Sequence, residues 1–343
     1  MSDTESDPIV IWGAGAIGGS LGAVWQSKGH EVIFVDNVPE HVAAINRDGL
    51  KIVGPVLETT ARAPAFLPAD LKGRYRRIFL CVKALHTVDA AKALAPHLAE
   101  DGYVVSAQNG LNEIEIAGVV GEKRTIGCFV NFGADYLEPG VVTYSGRGAV
   151  VVGELDGVET DRIRALHALM REFDDKAVLT SNIWGYLWGK LVYGAMLFAT
   201  ALTNDSIADV LEDTETRPVQ TALAQEVGRI AEAEGVRTEA FNGFDPAAFR
   251  PGASQAAIDK SFADMVAHNR TSAKSHSGIW RDLAVRKRKT EARPQLGPIV
   301  ETGRKRGVPA PLTERLIEMI EEIESGKRPL SRDNLTELAG VMS

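Results

Sequence analysis

The sequence predicts an α/β protein, with a doubly wound parallel sheet in its N-terminal half and an all-helical domain after it. Three observations predict this. The first half alternates short β-branched runs with helical stretches, the pattern of a parallel sheet with right-handed crossovers. Its strand segments are apolar throughout instead of alternating, as burial on both faces requires. After about Ser181 strand signals nearly vanish and long helical patterns take over.

The elements follow in order. PIVIWG is a β-branched run ending on glycine, and IGGSLGAVWQSKG is a helix closed by Gly29. HEVIFVD is the second strand and PEHVAAINRDG the second helix. RRIFLCVKA, the helical TVDAAKALAPHLAEDG and YVVSAQNG continue the alternation. From Gly140 to Glu154, GVVTYSGRGAVVVGE reads as strands joined by glycine turns, added antiparallel at the sheet edge. Helices then cover IWGYLWGKLVYGAMLFATAL, TRPVQTALAQEVGRIAEAEG, SFADMVAHNRTSA and PLTERLIEMIEEIESG. The 343 residues exceed what one hydrophobic core usually organises. We therefore expect two domains, 1–180 and 181–343.

Composition narrows the function classes. A net charge of -8 excludes broad non-specific nucleic-acid binding, which needs a basic face to displace counterions. Cys81 and Cys128 lie in apolar runs and read as small buried hydrophobes in a reducing compartment. The polar, acidic start MSDTESDP lacks the basic and apolar regions of a signal peptide. No stretch approaches the roughly 20 apolar residues that span a bilayer. A cytoplasmic protein without membrane or nucleic-acid partners is expected. The histidines show no metal-ligand spacing, and no G-x-S-x-G elbow is present, so no metal is expected.

The strongest local motif is Gly13-Ala14-Gly15-Ala16-Ile17-Gly18, which follows the first strand and opens a helix. Its glycines serve a tight turn, close backbone approach to a pyrophosphate, and close packing of helix on strand. The pyrophosphate then rests on the positive helix N-terminus. This is the fingerprint of a Rossmann dinucleotide-binding domain. The second strand ends in Asp36, whose carboxylate suits ribose hydroxyls and repels a 2′-phosphate. No arginine or lysine follows closely in Asp36-Asn37-Val38-Pro39-Glu40-His41. NAD is expected in preference to NADP, and NADP stays open. The plainer alternative is that Asp36 only caps the next helix.

Further features carry a resemblance. Lys83 ends the run IFLCVK, and Gln108-Asn109-Gly110 ends the next strand. Trp188-Gly189-Lys190-Leu191 sets a lysine in an otherwise apolar helix. Thr290-Glu291 follows Ser277-Gly278-Ile279-Trp280-Arg281-Asp282, while Gly140-Val141-Val142 and Gly307-Val308-Pro309-Ala310-Pro311 complete the pattern. In this order and spacing the chain resembles the ketopantoate reductase (2-dehydropantoate 2-reductase) family nearly end to end. The resemblance implies that Gly13, Gly15, Ala16, Ile17, Gly18 and Asp36 bind the cofactor. It implies that Lys190 donates or accepts the proton and that Glu291 orients the reacting groups. Lys83 and Asn109 would serve both nicotinamide and substrate, and Ser277 is the nearest counterpart of a substrate-binding serine. Partial desolvation among Trp, Leu and Val makes an ammonium easier to deprotonate, and its charge suits a developing alkoxide.

Each residue also has a bland reading. Lys190 is also what a solvated helical lysine with a buried stem looks like. Glu291 is one acid in a charged run, and Lys83 could end a strand in solvent. Arg286-Lys287-Arg288-Lys289 reads as a solvated helix face, with one of these or Arg281 the candidate for a substrate carboxylate. Two departures bear on substrate. The family's asparagines four and eight residues after the lysine are here Gly194 and Phe198. A space and an aromatic ring replace two amides, so a larger or more apolar acid than ketopantoate is expected. The Asp282-to-Glu291 spacing is also one residue longer than the family pattern. The expected function is NAD(P)-dependent hydride transfer to or from a small hydroxy/oxo acid. The rivals are an authentic NADPH-dependent 2-dehydropantoate 2-reductase and a non-catalytic NAD-binding or sensing protein. The apolar helices after residue 180 offer a face for a homodimer, which the sequence leaves open.

Overall fold

The computed structural model describes residues 7–271 and 275–342. The chain divides into two compact units, Met1–Ile183 and Trp184–Ser343.

The N-terminal unit runs β1 (Ile9–Trp12), α1 (Ala16–Ser27), β2 (Val32–Val35), α2 (Pro39–Asp48), β3 (Leu50–Val53), β4 (Thr59–Ala61), β5 (Ala65–Phe66) and β6 (Tyr75–Leu80). It continues with α3 (Thr87–Leu94), β7 (Leu98–Ser106), α4 (Asn112–Val120), β8 (Thr125–Val130), β9 (Gly133–Glu138), β10 (Val141–Gly146), β11 (Val150–Glu154), α5 (Asp161–Phe173) and β12 (Val178–Leu179). The main sheet has the order β12-β11-β8-β7-β6-β1-β2-β5. All its pairings are parallel except β11 against β8. The continuous apolar run of β1 is explained by its two faces. Ile9 and Ile11 join one core with Trp25, Phe34 and Phe79, while Val10 and Trp12 join a second with Ile78, Leu80 and Leu94. Trp25 ties α1 to α5 by donating from its indole N–H to the Leu169 carbonyl at 3.0 Å.

Three sequence expectations need correction here. The Gly140–Glu154 stretch does not all join the sheet edge. β11 joins the main sheet antiparallel to β8, with β12 beyond it at the edge, but β10 pairs with β9 in a second sheet of order β4-β3-β10-β9. Its partner strands are too short, four and three residues, to stand out by pattern. The helix before β7 stops at Leu94, and AEDG belongs to the strand. Pro96 has no N–H to continue a helix. Finally, β6 ends at Leu80, so Lys83 lies in the loop beyond it.

The second unit is helical: α6 (Ile183–Thr200), α7 (Ile207–Glu212), α8 (Arg217–Ala233), α9 (Gln255–Thr271), α10 (Gly278–Trp280), α11 (Ala292–Arg306), α12 (Pro311–Glu324) and α13 (Asp333–Ala339). Its strand content among the described residues is one bridge, Phe241 to Phe244. α8 and α12 are joined by the buried carboxylate of Glu226, which accepts from Leu312 N–H at 3.1 Å and from Thr313 N–H at 2.8 Å. Among the described residues no helix is long and apolar enough to cross a membrane.

Candidate active site

The glycine loop lies between β1 and α1. Gly13 has φ +101°, where a side chain is strained, and a Cβ there would stand 2.8 Å from the Val82 nitrogen. At Gly18 a Cβ would meet the Gly13 carbonyl oxygen at 2.2 Å and Ile11 Cγ2 at 2.7 Å, so helix and strand touch. Gly15 is different, because a Cβ there meets no atom of the described residues within 4 Å. The chain's own packing gives no reason for glycine at that position. A pyrophosphate lying on the helix end does. Gly15 is the N-cap of α1, makes no side-chain cap, and is followed by a first turn without an acid. The first N–H groups of α1 are therefore suited to an anion. Ala16 and Ile17 begin the helix and are half-buried.

Asp36 follows β2 and is half-buried. One oxygen accepts from Ala14 N–H at 2.9 Å and the other from Val38 N–H at 3.0 Å. Asp36 thus organises both the glycine loop and the turn into α2, leaving lone pairs for ribose hydroxyls. Beside it, burial pushes the Tyr136 hydroxyl above its ordinary range, with Asp36, Glu40 and Glu138 adding to the effect.

Lys83 and Asn109 lie on the loops that follow β6 and β7. Sequence reasoning missed the network that joins those loops. Gln108 Nε2 donates to the Val82 carbonyl and to Thr87 Oγ1, both at 2.8 Å. Thr87 Oγ1 in turn donates to Asn112 Oδ1 at 2.8 Å, and Asn112 Nδ2 donates to the Asn109 carbonyl at 2.7 Å. Lys83 is half-buried and Asn109 exposed. Only the Q-N-G triplet hinted at the network. Next to Asn112, Glu113 of α4 is fully buried, and among the described residues neither its oxygens nor the neighbouring Ser106 hydroxyl has a well-formed partner. Burial pushes the Glu113 carboxyl up to about 8.

In the helical unit, Lys190 sits on α6. From Tyr186 onward the half-buried positions of this helix are Tyr186, Lys190, Tyr193, Gly194 and Leu197, and the others are buried. Their spacing of i, i+4, i+7, i+8 and i+11 makes one stripe. Trp188 and Leu191 are packed away on either side of Lys190. A Cβ at Gly189 would meet the Glu239 carbonyl oxygen at 2.5 Å, so another segment lies against that face. Among the described residues nothing lies within 4 Å of a Cβ placed at Gly194. Phe198, expected with it, is only 3 % exposed. Tyr193 accepts from Asn269 Nδ2 at 3.0 Å, a polar pair beside Gly194 that sequence reasoning missed.

Glu291 is half-buried at the N-cap of α11. Thr290 before it is fixed by N–H and hydroxyl bonds to Glu324 Oε1, both 2.7 Å. Ser277 caps α10, its hydroxyl oxygen accepting from Trp280 N–H at 3.2 Å. A π-helical turn, Arg281–Val285, follows. The basic stretch after it is not a helix face. Arg286 and Arg288 donate to the buried Asp282 at 3.2 and 2.9 Å, and Lys287 has φ +48°. A buried carboxylate needs such partners, which decides the local path.

Known proteins supply the context. Residues 9–157 match the family model Ketopantoate reductase PanE/ApbA, and residues 182–324 match Ketopantoate reductase PanE/ApbA C terminal. A 2-dehydropantoate 2-reductase of Archaeoglobus fulgidus is 28% identical over 319 residues, 93% of this chain and 98% of that protein. One of Pyrococcus abyssi is 32% identical over 195 residues, 55% of this chain and 61% of that protein. The structure of D-mandelate dehydrogenase with NADH and anilino(oxo)acetate shares the fold, with a TM-score of 0.80, 22% identity, and coverage of 93% of this chain and 99% of that one. This chain belongs to the ketopantoate reductase family and is an NAD(P)-dependent hydroxy-acid oxidoreductase.

Proposed function

We propose that the chain is an NAD-preferring dehydrogenase of a 2-hydroxy acid whose side chain is larger or more apolar than that of pantoate. The observation that carries this reading is the open space at Gly194, one helical turn after Lys190 on the least packed stripe of α6. An asparagine there would fill the space and offer an amide to a small polar acid. Glycine leaves room for an aryl or alkyl group. The family fold also serves a D-mandelate dehydrogenase solved with anilino(oxo)acetate, which supports an aryl 2-oxo acid as the substrate class.

Bound nicotinamide supplies or takes the hydride. In reduction the Lys190 ammonium donates its proton to the substrate oxygen, and in oxidation Lys190 removes it. The same charge stabilises the alkoxide that develops on the way. Glu291, at the start of α11, orients the reacting groups. Lys83 and Asn109 bind nicotinamide ribose and substrate, on loops braced by Gln108, Thr87 and Asn112. The Asp36 carboxylate, held at the end of β2 by Ala14 and Val38 N–H, disfavours a 2′-phosphate, hence the NAD preference.

A second reading, an NADPH-dependent 2-dehydropantoate 2-reductase, is favoured by the names of the curated relatives. Initial rates with NADH and NADPH, using ketopantoate and a panel of aryl and alkyl 2-oxo acids, separate the two. We expect the highest kcat/KM with NADH and an aryl 2-oxo acid. Dominant turnover of ketopantoate with NADPH would establish the second reading instead. Tight NADH binding without turnover of any acid would indicate a sensing protein.

A further inference from the structure

We propose that His41 is a positioning residue for the cofactor, fixing the direction of the Gly15 N–H by holding the Ala14 carbonyl and anchoring it to the second sheet. The proposal rests on the reading of Gly13–Gly18 as the pyrophosphate loop.

His41 is the third residue of α2 and is fully buried. Its Nε2 lies 2.9 Å from the Ala14 carbonyl oxygen, and its Nδ1 lies 2.9 Å from the Gly140 nitrogen. The Gly140 N–H can only donate, so Nδ1 must present a lone pair. The proton then resides on Nε2, where it is given to Ala14. Both ring nitrogens are used, and the tautomer follows from the geometry.

The consequence lies in the peptide plane. The Ala14 carbonyl and the Gly15 N–H belong to one planar unit, so holding the oxygen sets where the N–H points. That N–H stands at the open end of α1, where a Cβ would meet no protein atom. The preceding peptide is held as well, because Ala14 N–H donates to Asp36 Oδ2 at 2.9 Å. Asp36 and His41, five residues apart around the start of α2, thus grip both sides of Ala14.

The anchor behind His41 is firm. Gly140 turns β9 into β10 at φ +79°, and a Cβ there would stand 2.9 Å from Ala44 Cβ. Its carbonyl accepts from Lys51 N–H of β3 at 2.9 Å. Tyr136 of β9 packs its ring edge-on to the imidazole at 5.1 Å. The second sheet therefore acts as the backing for the cofactor loop.

Two variants divide the imidazole. In His41→Gln the amide nitrogen can occupy the place of Nε2, keeping the bond to Ala14 and losing that to Gly140. In His41→Asn the amide oxygen can occupy the place of Nδ1, with the opposite result. Both should lower Tm. We expect the NADH Kd of H41N, by fluorescence titration, to rise about tenfold, as loss of one buried hydrogen bond implies. H41Q should stay within about threefold of the wild type, and kcat at saturating NADH should change little in either. In the unsubstituted protein, nitrogen NMR of His41 should show the Nε2–H tautomer and a shift of Nε2 on adding NADH. Equal affinities in the two variants, or an Nε2 resonance unmoved by NADH, would overturn the proposal alone. Failure of the wild type to bind either NADH or NADPH would overturn the loop reading and this proposal with it.

Discussion

In the N-terminal unit the glycine loop is held everywhere but at Gly15, the face left for the cofactor. Gly18 presses on Gly13 and Ile11, Gly13 lies against Val82, and Ala14 is bonded to Asp36 and His41. In the helical unit the stripe around Lys190 is shaped differently: Trp188 and Leu191 are buried, while a Cβ at Gly194 would meet no atom of the described residues within 4 Å. One region is over-determined by backbone contacts, and the other leaves its shape to a few side chains on a helix face. The difference matches the tasks. A pyrophosphate is the same in every dinucleotide and rewards a preformed cradle, whereas a substrate side chain varies and is met by side chains that can change without disturbing the fold.

Five substitutions test this difference between the two units. The largest effect belongs to Lys190→Ala, which should lower kcat by about a thousandfold or more if the lysine handles the proton. NADH affinity should hardly change, because the cofactor loop lies in the other unit's own framework. A variant that kept its rate would remove Lys190 from the chemistry.

Glu113→Gln tests the packing of the N-terminal unit. The Glu113 carboxyl is pushed up to about 8 from an ordinary value of 4.5. Between those limits the folded chain keeps a proton that the unfolded chain releases, so rising pH removes stability until about 8, where the slope ends. Urea unfolding at the two ends of that window should show E113Q matching the wild type at the acid end. At the alkaline end it should be more stable by on the order of a few kcal/mol. A parallel pH dependence in both proteins would mean that Glu113 has a partner when ionised.

Gly15→Val and Gly18→Ala should separate cofactor space from packing space. The first adds atoms where the described residues leave space, so stability should fall by no more than about 1 kcal/mol, the loss of a favoured N-cap residue, while NADH affinity falls about a hundredfold. The second drives a methyl group into the Gly13 carbonyl and should cost about 1–3 kcal/mol. Calorimetry and cofactor titration on both variants check the pair.

The same contrast governs what could be read from the sequence. The glycine loop, Asp36 and the strand-helix alternation were legible because backbone chemistry demands particular residue types at particular spacings. Lys190 stood out as a charge inside an apolar helix. The bracing of the Asn109 loop was not legible, since Gln108, Thr87 and Asn112 meet through separations of 21 and 25 residues. The second sheet is not legible because β3 and β4 are too short for a pattern, and Val141–Gly146 reads as part of the main sheet when it belongs to the second. The run from Arg286 to Lys289 looked helical until the buried Asp282 drew two of its arginines inward. Phe198 and Gly194 carried equal weight in sequence, and only burial distinguishes the packed ring from the open position.

That open position gives the smallest effect and the most direct test of the proposed function. Gly194→Asn restores an amide one turn after Lys190 without touching the cofactor loop. The measurement is kcat/KM for ketopantoate and for an aryl 2-oxo acid, in wild type and G194N, with NADH. The ratio of the two should move about tenfold towards ketopantoate, the worth of one hydrogen bond gained and some space lost. A ratio unchanged by the substitution, with both proteins active, would contradict the claim that the space at Gly194 selects the substrate.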